Sequence, residues 1–242
     1  MPTLNESAFA FSPDGKTFAY NERKQFESPG PFPKVPVVPV PRADTGDLIV
    51  RLVDISQLRD SISTGNKVAS LKTICTLPGN LMRHADVFSP DGTMLLSQDD
   101  SALKVWNIQT QKLIHKAGIQ DEHYYTTAIY TPDNRLLFIG GQMERGWPDG
   151  GGIIQAQNLR DSRTEYVIAG RKLGITHLLF LPQTQTIASA DKAGSIRLWD
   201  LKSVRLQRTL PAKGQEVTGL VATSDGKTLA GSYWNNSANK QF

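Results

Sequence analysis

The side chains best suited to chemistry in this 242-residue sequence lie close together, at Arg83, His84 and Asp86. A guanidinium, an imidazole and a carboxylate this close could form a structural ion pair, bind a small polar partner group, or take part in acid–base catalysis. Where the sequence repeats itself, as described below, the positions of Arg83 and Asp86 are apolar, for example Ile175 and Leu178. All three interpretations of the charged cluster stay open.

Other signatures of catalysis or cofactor binding are absent from the sequence. It contains no HExxH, GxSxG, paired CxxC or GxxxxGK[ST] motif, and its four histidines lack the spacing of metal ligands. The glycine-rich stretch GGQMERGWPDGGG has no strand-to-helix context that would suit a dinucleotide. We therefore predict no enzyme activity, no metal and no cofactor.

Composition and charge narrow the classes of partner. The formal charge is +4, and the 27 Lys and Arg residues are scattered along the chain, which disfavours nucleic acid as the main ligand. No apolar run approaches the ~20 residues of a membrane span, and the opening segment lacks the pattern of a signal peptide. The single cysteine, Cys75, excludes an internal disulfide. We expect a cytoplasmic protein.

A short turn sequence recurs along the chain. It indicates the fold that must position Arg83, His84 and Asp86. FSPDG, FSPDG, YTPDN, FLPQT and ATSDG begin at positions 11, 88, 130, 180 and 222, at intervals of 77, 42, 50 and 42 residues. Pro, Asp and Gly suit successive positions of a tight turn. Each turn is followed by an apolar strand, a second strand such as SIRLWDL, and a closing strand. The sequence therefore predicts repeated units of four short antiparallel strands.

A four-stranded unit repeating about every 40 residues, with an Asp-containing turn and a Trp-Asp strand end, resembles the WD-repeat family of β-propellers. The resemblance implies an all-β fold and one propeller domain over residues 1–242. We expect four complete blades and a partial fifth, at 4–77, 78–117, 118–169, 170–210 and 212–242. That count leaves the ring unclosed, so we expect an arc that is a fragment of a longer reading frame. The alternatives are completion by a second chain and a strained ring of four to five blades.

The resemblance also implies structural roles for two tryptophans. In the family, the indole N–H joins a network with a strand Ser or Thr and an Asp six residues before the Trp. Trp106 has Ser97 and Asp100 at these positions. Trp199 has Asp191 two residues before the expected Asp position, so its turn would have to shift. We expect these residues to hold the blades together.

The third repeat departs from this pattern. Gln157 takes the place of the tryptophan. An amide at a blade interface must find hydrogen-bond partners, and the sequence does not name them.

The resemblance places several irregular segments on the top face of a propeller. Residues 21–46 contain six of the 14 prolines, and this insertion either binds a groove in polyproline II conformation or is simply solvated. Residues 142–152 carry Trp147, which could anchor a partner or fold back over its blade. Near the start of the third unit, we expect an aromatic contact patch made by His123, Tyr124 and Tyr125.

The predicted function follows from a repeat scaffold with irregular loops and no catalytic motif. We predict a non-catalytic scaffold that binds proteins or peptides through its top-face loops, with no membrane contact and no clear contact with nucleic acid. The alternative is a small-molecule sensor or enzyme whose ligand lies in the central channel near Arg83, His84 and Asp86.

Overall fold

A computed structural model describes most of the strand-forming parts of the chain. The described residues are 8–23, 48–56, 58, 71–81, 84–85, 87–99, 102–118, 123–143, 151–169, 173–203, 205–211, 216–223 and 225–234. Within them the protein is nearly all β, which confirms the predicted fold class. No helix in this part of the chain is long and apolar enough to cross a membrane.

Eighteen strands are described. Strands β1 to β4 span Phe9–Phe11, Thr17–Arg23, Leu48–Asp54 and Lys72–Pro78. Strands β5 to β8 span His84–Ala85, Met94–Gln98, Ala102–Asn107 and Leu113–Gly118. Strands β9 to β12 span His123–Tyr130, Leu136–Met143, Gly152–Asn158 and Thr164–Ala169. Strands β13 to β18 span Ile175–Leu181, Thr186–Asp191, Ile196–Asp200, Leu206–Leu210, Val217–Ala222 and Leu229–Tyr233.

The chain divides into two compact units, Met1–Leu81 and Met82–Phe242. The single domain over residues 1–242 and the blade limits given above stay predictions.

The first unit is a four-stranded antiparallel sheet in the order β1-β2-β3-β4. Since side chains alternate along a strand, the sheet has two distinct faces. One face is buried and apolar, with Ala19 paired to Leu52, and Leu52 paired to Cys75. The other face carries a group of aromatic rings whose centroids lie 5.0 to 6.4 Å apart, made by Phe9, Phe11, Phe18 and Tyr20. We call these four residues the aromatic face.

The second unit contains the predicted four-stranded pattern twice. Strands β9 to β12 and β13 to β16 each form consecutive antiparallel hairpins. The β-branched and aromatic residues of these strands suit a pleated surface that is covered by a neighbour. Apolar clusters join the sheets, such as the one that includes Phe138, Ile154 and Ile187. The core of this unit is therefore a series of sheet-to-sheet interfaces.

The repeat that begins the second unit differs from the expected four antiparallel strands. Strands β6 to β8 form a three-stranded sheet, and the two-residue strand β5 pairs in parallel with β9. The contact expected between the first and second strands of this repeat is reduced to a bridge between Phe88 and Leu95, beside a 2.7 Å bond from the Leu96 amide to the Val87 carbonyl. Strand β5 therefore pairs with one sheet, while Val87 and Phe88 after it bond to the other.

The recurring turn has the same chemistry in four places. In YTPDN, the Thr131 hydroxyl donates to the Asp133 carboxylate at 2.6 Å, and the Arg135 amide donates to the same oxygen at 3.1 Å. Ser12, Ser89 and Thr223 bond the Asp two residues later in the same way. The residue after each Asp has a positive φ, which explains the glycines, and Asn134 takes this position at 55°. These bonds fix the direction in which each hairpin folds back.

The carboxylate in this turn predicts an acid-sensitive contribution to stability. The Thr131 hydroxyl lowers the pKa of Asp133 below its usual 3.8. Its contribution is therefore present above about pH 4 and lost as the pH falls through the lowered folded-state value. We expect Asp133→Ala to lower the free energy of unfolding by about 1 kcal/mol at pH 7 and by much less at pH 3. Urea unfolding at both pH values measures this difference.

A matched control for that experiment is Glu216→Ala, which removes a carboxylate from an exposed residue. It should leave stability at pH 7 almost unchanged. An Asp133→Ala effect of equal size at both pH values would show that the charged form of the turn carboxylate is unimportant.

Candidate partner-binding site

One end of the sheet formed by β9 to β12 gathers several of the predicted site segments. Strands β5 and β9 run in the same direction, with His84 opposite Thr127, so both strands start on the side of the sheet nearer to His123. At that end, His123 pairs with Met143 and Tyr124 pairs with Gln142, at the point where β10 leads into the connection to β11. We call this end, marked by the backbones of His123, Tyr124 and Gln142, the loop end; His84 begins β5 opposite Thr127, four residues further along β9.

The neighbouring sheet adds a polar contact to the loop end. Lys192, an exposed residue in the turn between β14 and β15, donates from Nζ to the Gln142 side-chain oxygen at 2.7 Å. The Lys192 amide also donates to the Gly174 carbonyl at 3.1 Å. The turn between β14 and β15 therefore contacts the end of β10. Sequence analysis did not select Lys192, and its only signal was its place in the turn before SIRLWDL.

Several predicted site residues lie outside the described residues. Arg83, Asp86 and Trp147 are among them, as is most of the proline-rich segment 21–46. The backbones of His84, His123 and Tyr124 are described as strand. Their roles as partner contacts stay predictions.

Tyr125 is buried, although it was predicted to belong to an exposed aromatic patch. Its ring packs in a core cluster with Leu137 and Ile139. Its hydroxyl donates to the Gln155 side-chain oxygen at 3.2 Å, and burial raises the pKa of the phenol. The ring therefore supports the sheet beneath the loop end, and a contact with a partner stays a prediction for this residue.

Threonine hydroxyls tie the first strands of successive sheets together. Thr126 on β9 donates to the carbonyl of Ile175 on β13, and Thr176 on β13 donates to the carbonyl of Val217 on β17 at 3.2 Å. Each Thr lies four residues before the first residue of its turn motif, at Tyr130 and Phe180. This recurrence is visible in the sequence, but sequence analysis missed it.

A glycine lets these strands approach closely. A Cβ atom at Gly140 would lie 2.8 Å from the Thr127 Cγ2 atom and 2.9 Å from the Ile175 Cγ2 atom. Both distances are shorter than normal carbon–carbon contacts. The Thr127 hydroxyl in turn accepts a 3.2 Å bond from the Leu178 amide. The loop end therefore rests on tightly joined strands.

The two tryptophans of the third strands donate to serines of the second strands. The Trp106 indole N–H donates to Ser97 at 2.9 Å, and the Trp199 indole N–H donates to Ser189 at 2.8 Å. Asp100, the other predicted partner of Trp106, lies outside the described residues. Sequence analysis did not name Ser189, although it lies in the second strand TIASA as Ser97 does in MLLS.

Asp191 has a different role from the one that a shifted Trp199 network would give it. Its carboxylate is buried and accepts bonds from the amides of Ala193 at 3.0 Å and Ser195 at 2.9 Å. The second oxygen pairs with the Arg197 guanidinium. These contacts hold the turn between β14 and β15 rather than the indole.

Gln157, in the place of a tryptophan, finds partners within its own sheet. Its buried amide nitrogen donates to the Thr164 hydroxyl at 3.0 Å and lies 3.4 Å from the Gln155 side-chain oxygen. Since Gln155 also accepts the Tyr125 hydroxyl, the polar groups at this interface are connected.

A buried histidine forms another contact between sheets. The Nδ1 atom of His115 on β8 lies 2.9 Å from the hydroxyl of Ser162, in the turn before β12. Burial lowers the pKa of His115, and its Nε2 atom has no hydrogen-bond partner among the described residues. Burial therefore favours the uncharged imidazole in the folded protein at neutral pH. Over the same residues, no group of three or more His, Cys, Asp and Glu side chains could hold a metal ion.

The fold and its recurring turns define a protein built from propeller-type repeats. Residues 71–107 and 163–200 match the family model for the WD domain, G-beta repeat. These matches confirm the resemblance to the WD-repeat family that the turn and Trp-Asp motifs predict. Over 116 residues the chain is 24% identical to "Transcriptional corepressor LEUNIG_HOMOLOG" of Arabidopsis thaliana. That match covers 48% of this chain and only 14% of the relative's length.

The tryptophan–serine contact predicts a measurable coupling. In a double-mutant cycle of Trp106→Phe and Ser97→Ala, we expect the two losses of unfolding free energy to fall short of additivity by about 1 kcal/mol. The reason is that either change alone removes the same hydrogen bond. Thermal and urea unfolding of the four proteins measures the coupling. Fully additive losses would mean that the bond adds nothing to stability.

The buried histidine predicts a loss of stability in mild acid. Because the folded-state pKa of His115 is below its usual 6.5, the unfolded chain takes up the proton first as the pH falls. We expect the stability advantage of the natural protein over His115→Gln to shrink between pH 7 and pH 5, by up to about 1.4 kcal/mol per pH unit. Urea unfolding of both proteins across this range measures it. A constant difference would mean that His115 does not titrate differently on folding.

Proposed function

We propose that this chain is a non-catalytic scaffold that binds protein or peptide partners at the loop end of its second unit. WD repeats and the similarity to a protein named a transcriptional corepressor support a protein-interaction scaffold. The finer proposal, which names the surface, goes beyond those similarities. The observation that carries it is the pairing of β5 with β9 in parallel, beside the exit of β10.

That pairing supports a composite surface because it brings strands from separate repeats into one sheet. The starts of β5 and β9, at His84 and His123, and the end of β10, after which the sequence continues to Trp147, face the same end of that sheet. Residues of these types suit a peptide that offers both apolar and polar contacts. Lys192 adds a positive charge at the edge of the same surface.

The strands beneath the loop end support binding because they are held firmly. Thr126, Thr127 and Gly140 join β9 and β10 to the next sheet, and the ring of Tyr125 fills the core below. A rigid support lowers the entropy that a partner's binding would cost.

Affinity capture with matched variants tests the proposal. We would replace residues 144–150 with a Gly-Ser linker, and separately make Lys192→Glu. The control is Arg160→Glu, the same charge change at an exposed residue in the β11–β12 turn, at the opposite end of the β9–β12 sheet. We expect partners captured by the natural chain, identified by mass spectrometry, to lose at least tenfold in binding to the loop replacement. Lys192→Glu should weaken binding severalfold, and Arg160→Glu should not.

The outcome that would overturn this assignment is equally direct. Partners captured with unchanged affinity by both the loop replacement and Lys192→Glu would show that the loop end is not the binding surface. Thermal unfolding of each variant establishes that a loss of binding is not a loss of folding.

A further inference from the structure

The threonine contacts between first strands form a series with a third member. Thr126 donates to the carbonyl of the residue before Thr176, and Thr176 donates to the carbonyl of the residue before Thr218. Thr218 on β17 therefore has the position from which a further first strand would be bound in the same way. In the described residues its hydroxyl is exposed and lies 3.0 Å from the Ser232 hydroxyl.

The surface around Thr218 is apolar and open. The opposite face of β17 and β18 packs on the preceding sheet through Val217, Leu220 and Tyr233. The outward face leaves Val221 63% and Trp234 64% exposed, although residues of these types are usually covered. We call Thr218, Val221, Ala230, Ser232 and Trp234 the outer β17–β18 face.

The chain itself carries a surface that matches this one. The aromatic face lies on β1 and β2, the first two strands of its repeat, and leaves Phe9 63% and Phe11 58% exposed. Strand β1 is a first strand, the kind of strand that Thr126 and Thr176 bind in the second unit. Aromatic rings on a sheet face are strong anchors when a partner covers them.

We propose that the outer β17–β18 face binds the aromatic face of a second copy of this chain. The contact continues the series of sheet-to-sheet interfaces from β9 to β13 and from β13 to β17. Because two different surfaces meet, the association is head-to-tail, and the dimer keeps one free face of each kind. It uses no residue of the loop end, so it stands or falls separately from the proposed partner site.

Two charge substitutions test the head-to-tail contact in the full chain. Val221→Lys blocks the outer β17–β18 face, and Phe11→Lys blocks the aromatic face. Both residues are exposed, so folding should survive, which circular dichroism and thermal unfolding establish. By sedimentation velocity between about 1 and 200 μM, we expect the natural chain to associate increasingly with concentration, and each variant alone to associate at least tenfold more weakly.

Mixing the two variants gives the decisive result. Each variant keeps the face that the other has lost, so a mixture should form 1:1 dimers and nothing larger. An isologous contact would instead leave one variant able to dimerise alone. Thr218→Val should weaken association, while Thr218→Ser, which keeps the hydroxyl, should not.

The control is Leu206→Lys, which places the same charge on another exposed apolar residue, on β16. It should associate as the natural chain does. A natural chain that stays monomeric throughout the concentration range would overturn the proposal, since the two faces would then have another occupant. Association that survives both Val221→Lys and Phe11→Lys would overturn it as well.

Discussion

The structure depends on one constraint, which is that a four-stranded sheet of this kind cannot bury its own faces. In β14 every residue from Thr186 to Asp191 is buried, because sheets lie against both of its sides. In β18, with one covered side, most residues are exposed. Burial in each sheet therefore comes from its neighbours, and stability is shared along the series of interfaces rather than held in one core. Apolar contacts alone do not fix the position of one sheet along another. The hydroxyl-to-carbonyl bonds from Thr126 and Thr176 are directional, so they fix that position.

Hairpin geometry places the strands so that this stacking can occur. The hydroxyl of Ser or Thr, the Asp carboxylate and a residue of positive φ form the same turn at Ser12, Ser89, Thr131 and Thr223. Few side-chain identities are needed, since the rest of the turn is backbone. The fourth repeat has Gln183 in place of the Asp, and its positive φ of 49° falls at Gln185, one position later than in the other turns. A chain can therefore keep its repeat while most other residues change.

The repeated sequence pattern predicted the contacts that lie within one repeat. The turns, the antiparallel hairpins and the serine that receives the Trp106 indole all follow from short spacings within one repeat. Contacts between repeats were harder to predict from the sequence. The parallel pairing of β5 with β9 and the burial of Tyr125 depend on which chain segment lies alongside, and residue spacing in one repeat does not specify that. The Gln157 contact with Thr164 lies within one hairpin, but it follows a shift in strand register that the sequence does not reveal. The sequence suggested that Asp191 joins the Trp199 network. A carboxylate near a turn can also bond the amides of that turn, and Asp191 accepts bonds from these nearer donors.

Residues that hold two sheets together differ from exposed residues at the loop end in how freely they can change. A change at Thr127 or Gly140 would alter the spacing between two sheets, so these positions tolerate little variation. Lys192, by contrast, meets the Gln142 side chain at an exposed position. Exposed residues of this kind can vary in charge and size without disturbing the strands below. A repeat scaffold of this kind can therefore acquire a new binding surface by changing its loop end, while the threonine and glycine positions keep that surface in place.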